Sequence, residues 1–256
     1  MSFEVPRGAY DLLIGRYSRA LAPLFADFAG AGPGMRLLDV GAGPGALTAE
    51  LANRAGAEGV AAADPSEAFV AACTSHVPGA DVRRAAAEEL PWPAAVFDGA
   101  LAQLVVNFMA DAGRGVGEMA RVVRPGGVVA ACTLGGGDDV EMLSAFAEAA
   151  RALDPAALPP GPAWRYRTPA ELEELWQSAG LAAVETAPLD VTAAYDGFDD
   201  LWAGFLTGIG PDSAYCVSLD AERQAALREE LGRRLGVPSG PFTLRLRAWA
   251  VRGLVP

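Results

Sequence analysis

The stretch LLDVGAGPGALTAEL, from Leu37 to Leu51, limits what this chain can fold into more than any other part of it. A short apolar run meets glycines at alternate positions, Gly41, Gly43 and Gly45, and helical periodicity follows them. A strand, a glycine turn and a helix in that order predict one unit of a parallel sheet. Gly41 lets the chain turn sharply, Gly43 leaves backbone open to a ligand, and Gly45 allows the helix to start close to the strand. The first turn of such a helix carries unpaired N–H groups and a partial positive charge.

The same alternation continues along the chain. Strands are predicted at 36–40, 59–63, 81–86, 98–104 and 127–134, with helices at 46–55, 66–75 and 112–123 between them. Near-continuous apolar strands separated by helices indicate a parallel sheet covered on both faces. An amphipathic helix is expected over 9–29, with Leu13, Tyr17, Leu21, Leu24 and Phe28 on its buried side. Residues 138–167, with Pro155, Pro159, Pro160 and Pro162, read as a helix followed by a loop over the ligand end of the sheet. Thr168, Pro169 and Glu171 form a helix start, and Gly180 is the stop. Strands at 181–192 and 242–252 then enclose helices at 198–210 and 220–235, giving an antiparallel pair at the sheet's edge.

Asp64 lies at the end of the second strand, and its spacing from Gly41 suits a carboxylate accepting hydrogen bonds from two ribose hydroxyls. The bland alternative is a tight turn with Asp64 as a helix cap. The glycines also fit the dinucleotide pattern through Gly41, Gly43 and Ala46, so a nicotinamide-dependent oxidoreductase is a rival reading. Against it, lysine is absent and the single histidine, His76, sits in what reads as a loop on the far side, leaving no proton-relay pair.

Composition excludes other classes. The net charge of −12 repels phosphate backbones, so no nucleic-acid partner is expected. No apolar run is long enough to span a membrane, and MSFEVPRGAY lacks the pattern of a secretory leader. Cys73, Cys132 and Cys216 lie far apart without metal or disulfide spacing, so buried free thiols, no metal and a cytoplasmic setting are expected.

LLDVGAGPG, with Asp39 two residues before Gly41, resembles motif I of the class I S-adenosylmethionine-dependent methyltransferases. VAAADPSEAFVAA (60–72) resembles motif II, and AEELPWPAAVFDGALAQLVVNFMAD (87–111) and RVVRPGGVVAACT (121–133) are similar to the stretches through the fourth and fifth strands. GRYSRALAPLF (15–25) is similar to the N-terminal lid helix of the ubiquinone/menaquinone-type branch. The resemblance implies an α/β, doubly wound, Rossmann-like fold: a mostly parallel seven-stranded sheet of order 3-2-1-4-5-7-6 with strand 7 antiparallel. It implies one domain over 1–256, with residues 1–30 as the lid helix and helical insertions at 138–167 and 195–240 over the substrate site.

The activity implied is methyl transfer from S-adenosylmethionine to a small-molecule acceptor at O, N or C, leaving S-adenosylhomocysteine. By the same resemblance Gly41, Ala42, Gly43 and Gly45 hold the methionine part of the cofactor, and Asp39 orients their loop. Asp64 holds the ribose, Pro65 lies near the adenine, and Ala86, Ala87 and Glu88 flank that ring. The family often has an Asp at the position of Ala86, so Glu88 or backbone must replace that contact. Gln103 faces the methionine moiety, and Tyr17 and Arg16 close the site, Arg16 toward the cofactor carboxylate. For Tyr17 and Arg16, helix core and a solvated side chain are the alternatives. Candidates to orient the acceptor are Asn107, Tyr166 and Tyr195, with Trp164 and Trp202 as aromatic wall or plain packing. The missing acid at Ala86 and the lack of an evident base leave open a third reading, a non-catalytic protein with a retained cofactor-binding fold.

Overall fold

The computed structural model of the protein describes residues 11–158, 165–236 and 240–256. The first two residues of the expected N-terminal helix, the prolines at 159, 160 and 162, and Trp164 therefore lie outside the described residues.

Seven strands form one sheet: β1 (Leu37–Val40), β2 (Val60–Asp64), β3 (Asp81–Arg84), β4 (Phe97–Gln103), β5 (Val123–Leu134), β6 (Ala182–Tyr195) and β7 (Phe242–Leu254). Their order is β3-β2-β1-β4-β5-β7-β6. β1 pairs in parallel with β2 on one side and β4 on the other, while β7 runs antiparallel to both β5 and β6. The chain thus leaves β1 in one direction and returns across it to β4. The carboxyl ends of β1 and β4 flank the crevice where open α/β sheets take ligands.

The central strands have no polar face. Every residue of β1 and β2 is buried, including Asp39 and Asp64 at their ends. Helices cover both sides, as a sheet with two apolar faces requires. α2 (Ala46–Ala55), α3 (Glu67–His76) and α4 (Ala112–Val122) follow β1, β2 and β4. Ser66 and Asp111 cap α3 and α4 by accepting the amides of Phe69 and Arg114.

α1 (Arg16–Ala29) buries Tyr17, Leu21, Phe25 and Ala29, a strict four-residue repeat. Leu24 was expected on that stripe, yet it is 40% exposed. Residues three and four apart share a helix face, so Leu24 and Phe25 compete for the place after Leu21, and packing turns Phe25 inward.

The last third carries α5 (Glu141–Leu153), α6 (Pro169–Ser178), α7 (Phe198–Phe205), α8 (Gly210–Ser218) and α9 (Ala221–Leu235). α6 opens with a complete capping box between Thr168 and Glu171, and Gly180 leaves the helix region with φ +80°. α8 was not foreseen. The helix expected over 198–210 stops at Phe205, and the chain passes Gly208 and Gly210, both at positive φ, before coiling again behind Pro211.

Trp176 fastens α6 to the sheet. It is fully buried, and its Nε1–H donates to the Val129 carbonyl of β5 over 2.9 Å. Trp176→Ala empties a ring-sized volume and removes that hydrogen bond. It should cost about 3–5 kcal/mol, read as a lower denaturant midpoint at constant slope.

Candidate functional site

A cavity of about 350 Å³ opens at the carboxyl ends of β1, β2 and β4. That volume suits a small ligand. Of the residues named from sequence, Asp39, Gly41, Ala42, Gly43, Asp64, Pro65, Ala86, Ala87, Glu88 and Gln103 line it. Gly45, Arg16 and Tyr17 do not.

The glycine turn is shaped by its neighbours. Gly41 has φ +73°, and a Cβ there would stand 2.4 Å from Cγ2 of Val105 in the loop after β4. Gly43 has φ +54° with no atom within 4 Å of a Cβ position, so the cavity reaches its backbone. Gly45 was expected to let α2 approach the strand. Its close neighbour is instead Cys73 of α3, whose Sγ would be 3.0 Å from a Cβ.

Two buried carboxylates hold this turn. The Asp39 side chain is 1% exposed and accepts the Thr48 hydroxyl of α2 over 2.6 Å. The Cys73 thiol in turn donates to that hydroxyl oxygen at 3.4 Å, so α3, α2 and β1 share one polar chain. Burial, only partly offset by Thr48, pushes the Asp39 carboxyl up to about 7. Asp64 spreads its two oxygens: Oδ2 accepts the Gly43 amide at 2.9 Å and Oδ1 accepts the Ser66 amide at 2.8 Å. Burial raises its pKa, against the pull of those two amides. The cap-like alternative and the ligand role are compatible, because each carboxylate oxygen keeps a further lone pair.

Gln103 reaches the cavity from the end of β4. Its Nε2 donates to the Ser18 carbonyl of α1 at 3.0 Å, while its buried Oε1 has no partner among the described residues. Glu88 accepts the Asp111 amide at 3.1 Å, which places a carboxylate near Ala86. The remaining wall is Ser18, Pro44, Ala46, Leu47, Phe69 and the run Leu104, Val105, Phe108, Met109 and Ala110. Most of that run was missed. Its signal was its place just after the strand beside the topological switch, with Leu104 held at φ +61°.

Arg16, Tyr17 and Tyr195 form a separate network. The Arg16 guanidinium grips both oxygens of Asp200 at 2.9 and 3.0 Å and also donates to the Ala194 carbonyl. The bond to Asp200 raises the Arg16 pKa and lowers that of Asp200. Arg16 stacks 4.3 Å above the Tyr195 ring, and the Tyr17 and Tyr195 hydroxyls lie 3.1 Å apart. Tyr17 is fully buried and Tyr195 packs on Phe242. Arg16 is thus spent on a carboxylate of α7, and Tyr17 takes the helix-core alternative. Tyr195 and Trp202 pack the interior, with Trp202 6.3 Å from Phe205.

Tyr166 lines neither this cavity nor its neighbour. Its carbonyl accepts the Thr133 hydroxyl and its own hydroxyl accepts Arg165. Asn107 lies in the wall of an adjacent cavity. His76 is not in a far-side loop: it ends α3, with Nδ1 3.1 Å from the Pro44 carbonyl of the glycine turn. All three cysteines are buried and free. Among the described residues no cluster of His, Cys, Asp and Glu could hold a metal ion, and no helix is long and apolar enough to cross a membrane.

Known proteins match this arrangement. The family described as a methyltransferase domain matches residues 38–131, the span from β1 into β5. The ubiquinone biosynthesis O-methyltransferase of Azorhizobium caulinodans is 34% identical over 188 residues, covering 69% of this chain and 68% of that protein. The biotin biosynthesis bifunctional protein BioHC of Cellvibrio japonicus is 35% identical over 146 residues, and the match spans 57% of this chain but only 29% of the relative's length. Among solved structures, one titled a putative type II methyltransferase from Anaeromyxobacter dehalogenans superposes with a TM-score of 0.67 at 27% identity, covering 93% of this chain and 96% of that one.

Two outcomes are expected. Gly41→Ala should destabilise the fold by about 1–3 kcal/mol, since the position needs positive φ and has no room. Val105→Ala in the same chain should recover the steric part only, as thermal melts will show. Asp39, whose carboxyl stays protonated in the fold up to about pH 7, makes the folded state bind more protons than the unfolded chain at intermediate pH. Stability should therefore fall as pH rises from about 4 to 7. Asp39→Asn should flatten that slope in denaturant titrations at pH 5 and pH 8.

Proposed function

The chain belongs to the class I S-adenosylmethionine-dependent methyltransferases, and from that premise we propose that it binds the cofactor in the cavity above the glycine turn and methylates a small-molecule acceptor. The observation that carries the reading is the buried Asp64 carboxylate bonded to the Gly43 amide on one cavity wall, where the uncovered side of Gly43 leaves space for a ligand. The nicotinamide alternative loses its ground with the family.

The wall offers complementary groups for each part of such a ligand. Asp64 presents its remaining lone pairs to ribose hydroxyls. The unpartnered Oε1 of Gln103 and the buried Asp39 carboxylate are acceptors for an ammonium group. Pro65, Ala86 and Ala87 give a flat apolar slot for adenine, with Glu88 as the acid beside it. Val105, Phe108 and Met109 add an apolar edge to the same wall.

Held there by Asp64, Gln103 and the glycine turn, the sulfonium cofactor would supply an activated methyl group to the lone pair of an acceptor. The residues' task is then alignment and exclusion of water. The net charge of −12 argues for a small molecule rather than nucleic acid. The similarity to the Azorhizobium ubiquinone biosynthesis O-methyltransferase supports the same choice.

Calorimetry with S-adenosylhomocysteine tests this reading. The wild type should bind it and ignore NADH; the reverse pattern would sink the proposal. Asp64→Ala removes charge-assisted hydrogen bonds and should weaken binding by about 2–4 kcal/mol. An unchanged dissociation constant refutes the role given to Asp64.

A further inference from the structure

A second cavity, of about 180 Å³, lies beside the first, and Phe108 stands in the wall of both. Leu143 of α5 and Leu134 at the end of β5 give it apolar sides. At its inner end the first turn of α8 presents Asp212. That side chain is 7% exposed, and its Oδ1 has no hydrogen-bond partner among the described residues. An unsatisfied buried carboxylate oxygen is costly, and native folds tolerate one mainly where something else completes it.

The charge around Asp212 restricts what that something is. Arg167, in the same wall, donates from Nε to the Gly135 carbonyl at 3.0 Å. The other ionisable groups of the wall, Asp138, Glu148 and Arg151, are exposed at the rim, and Glu148 is paired with Arg234 at 2.8 Å. Of the lining groups away from the rim, one is the Asp212 carboxylate and one the half-buried Arg167 guanidinium, opposite in charge; behind Arg167, Asp139 is paired with Arg247 and Glu171 is held by Thr168 in the cap of α6. A charged guest would bury a further charge without a counterion. A neutral hydrogen-bond donor would satisfy Asp212 and leave the balance intact. Size adds a limit: a dry cavity of about 150 Å³ takes up benzene, so this one holds a single six-membered ring with small substituents.

We propose that this second cavity is the acceptor pocket, and that it takes a small uncharged ring compound whose hydroxyl donates to Asp212. The assignment rests on the cofactor reading above: Phe108 lines both cavities and is 43% exposed, so its ring has room to turn aside and let an acceptor held in the second cavity reach the methyl group in the first. Burial pushes the Asp212 carboxyl up to about 6, so at neutral pH it is ionised and accepts the hydroxyl proton in a hydrogen bond. Asp212 is a positioning residue for that hydroxyl.

Phenol, benzoate and benzylamine, matched in size, are titrated by NMR into the protein with and without saturating S-adenosylhomocysteine. Phenol should bind saturably, with the two charged probes at least about tenfold weaker. Asp212→Asn should weaken phenol about tenfold or more, and Leu143→Trp, which fills the cavity from another helix, should abolish it. Both variants should keep wild-type affinity for S-adenosylhomocysteine. Absence of saturable phenol binding, preference for either charged probe, or phenol binding indifferent to both variants overturns the acceptor assignment and leaves the cofactor reading standing. A wild type that takes phenol but not S-adenosylhomocysteine overturns the cofactor reading, and the acceptor role falls with it.

Discussion

One carboxylate, Asp64, joins two parts of the chain that meet at the carboxyl ends of neighbouring strands. It accepts the amide of Gly43 from the turn after β1 and the amide of Ser66 at the start of α3. Both contacts are made in a buried setting, where an amide–carboxylate bond is strong and an unpaired partner expensive. The positive φ of the glycine turn is held against this anchor. So is the alignment of α2 with α3, which the chain from Cys73 through Thr48 to Asp39 repeats on the inner side. The cavity exists because these contacts fix the backbone while leaving the open side of Gly43 uncovered.

Ionisable groups divide by task across the molecule. Two acids of the cavity wall, Asp39 and Asp64, are buried and shifted upward by desolvation. Asp200, bound to Arg16, and Asp190, bound to Arg247, are shifted down and brace the far half of the fold. Arg16 belongs with the second set: its bidentate grip on Asp200 and its stacking on Tyr195 tie α1 to α7 and β6. That network is structural in its contacts, and it holds α1 where Ser18 can receive Gln103.

Much of the fold was legible because it rests on local chemistry. α2 has the predicted bounds, and the capping box at Thr168 starts α6 where the residues alone placed it. The antiparallel edge follows from the alternation in FTLRLRAWAVR, and its cross-strand pair of Asp190 with Arg247 suits that register. What failed were statements about direction. Leu24 and Phe25 are adjacent apolar residues, and only packing decides which one turns inward. Gly45 was read as letting α2 start close to β1, but the close approach it permits is that of Cys73 from a different helix. His76 looked remote along the chain and lies against Pro44.

The sequence by itself determined the strand, the glycine turn, the helix and the acid placed after the second strand, because backbone freedom, caps and hydrophobic period act within a few residues. It thereby set the family and half of the cavity wall. Tertiary structure alone decided that Arg16 spends its charge on Asp200, that Tyr17 and Tyr195 pair, and that Asp212 from the unforeseen α8 lies buried beside Phe108. These pairings join residues far apart in sequence, and their energies depend on burial and on the partner met there, quantities that no local pattern of residues encodes.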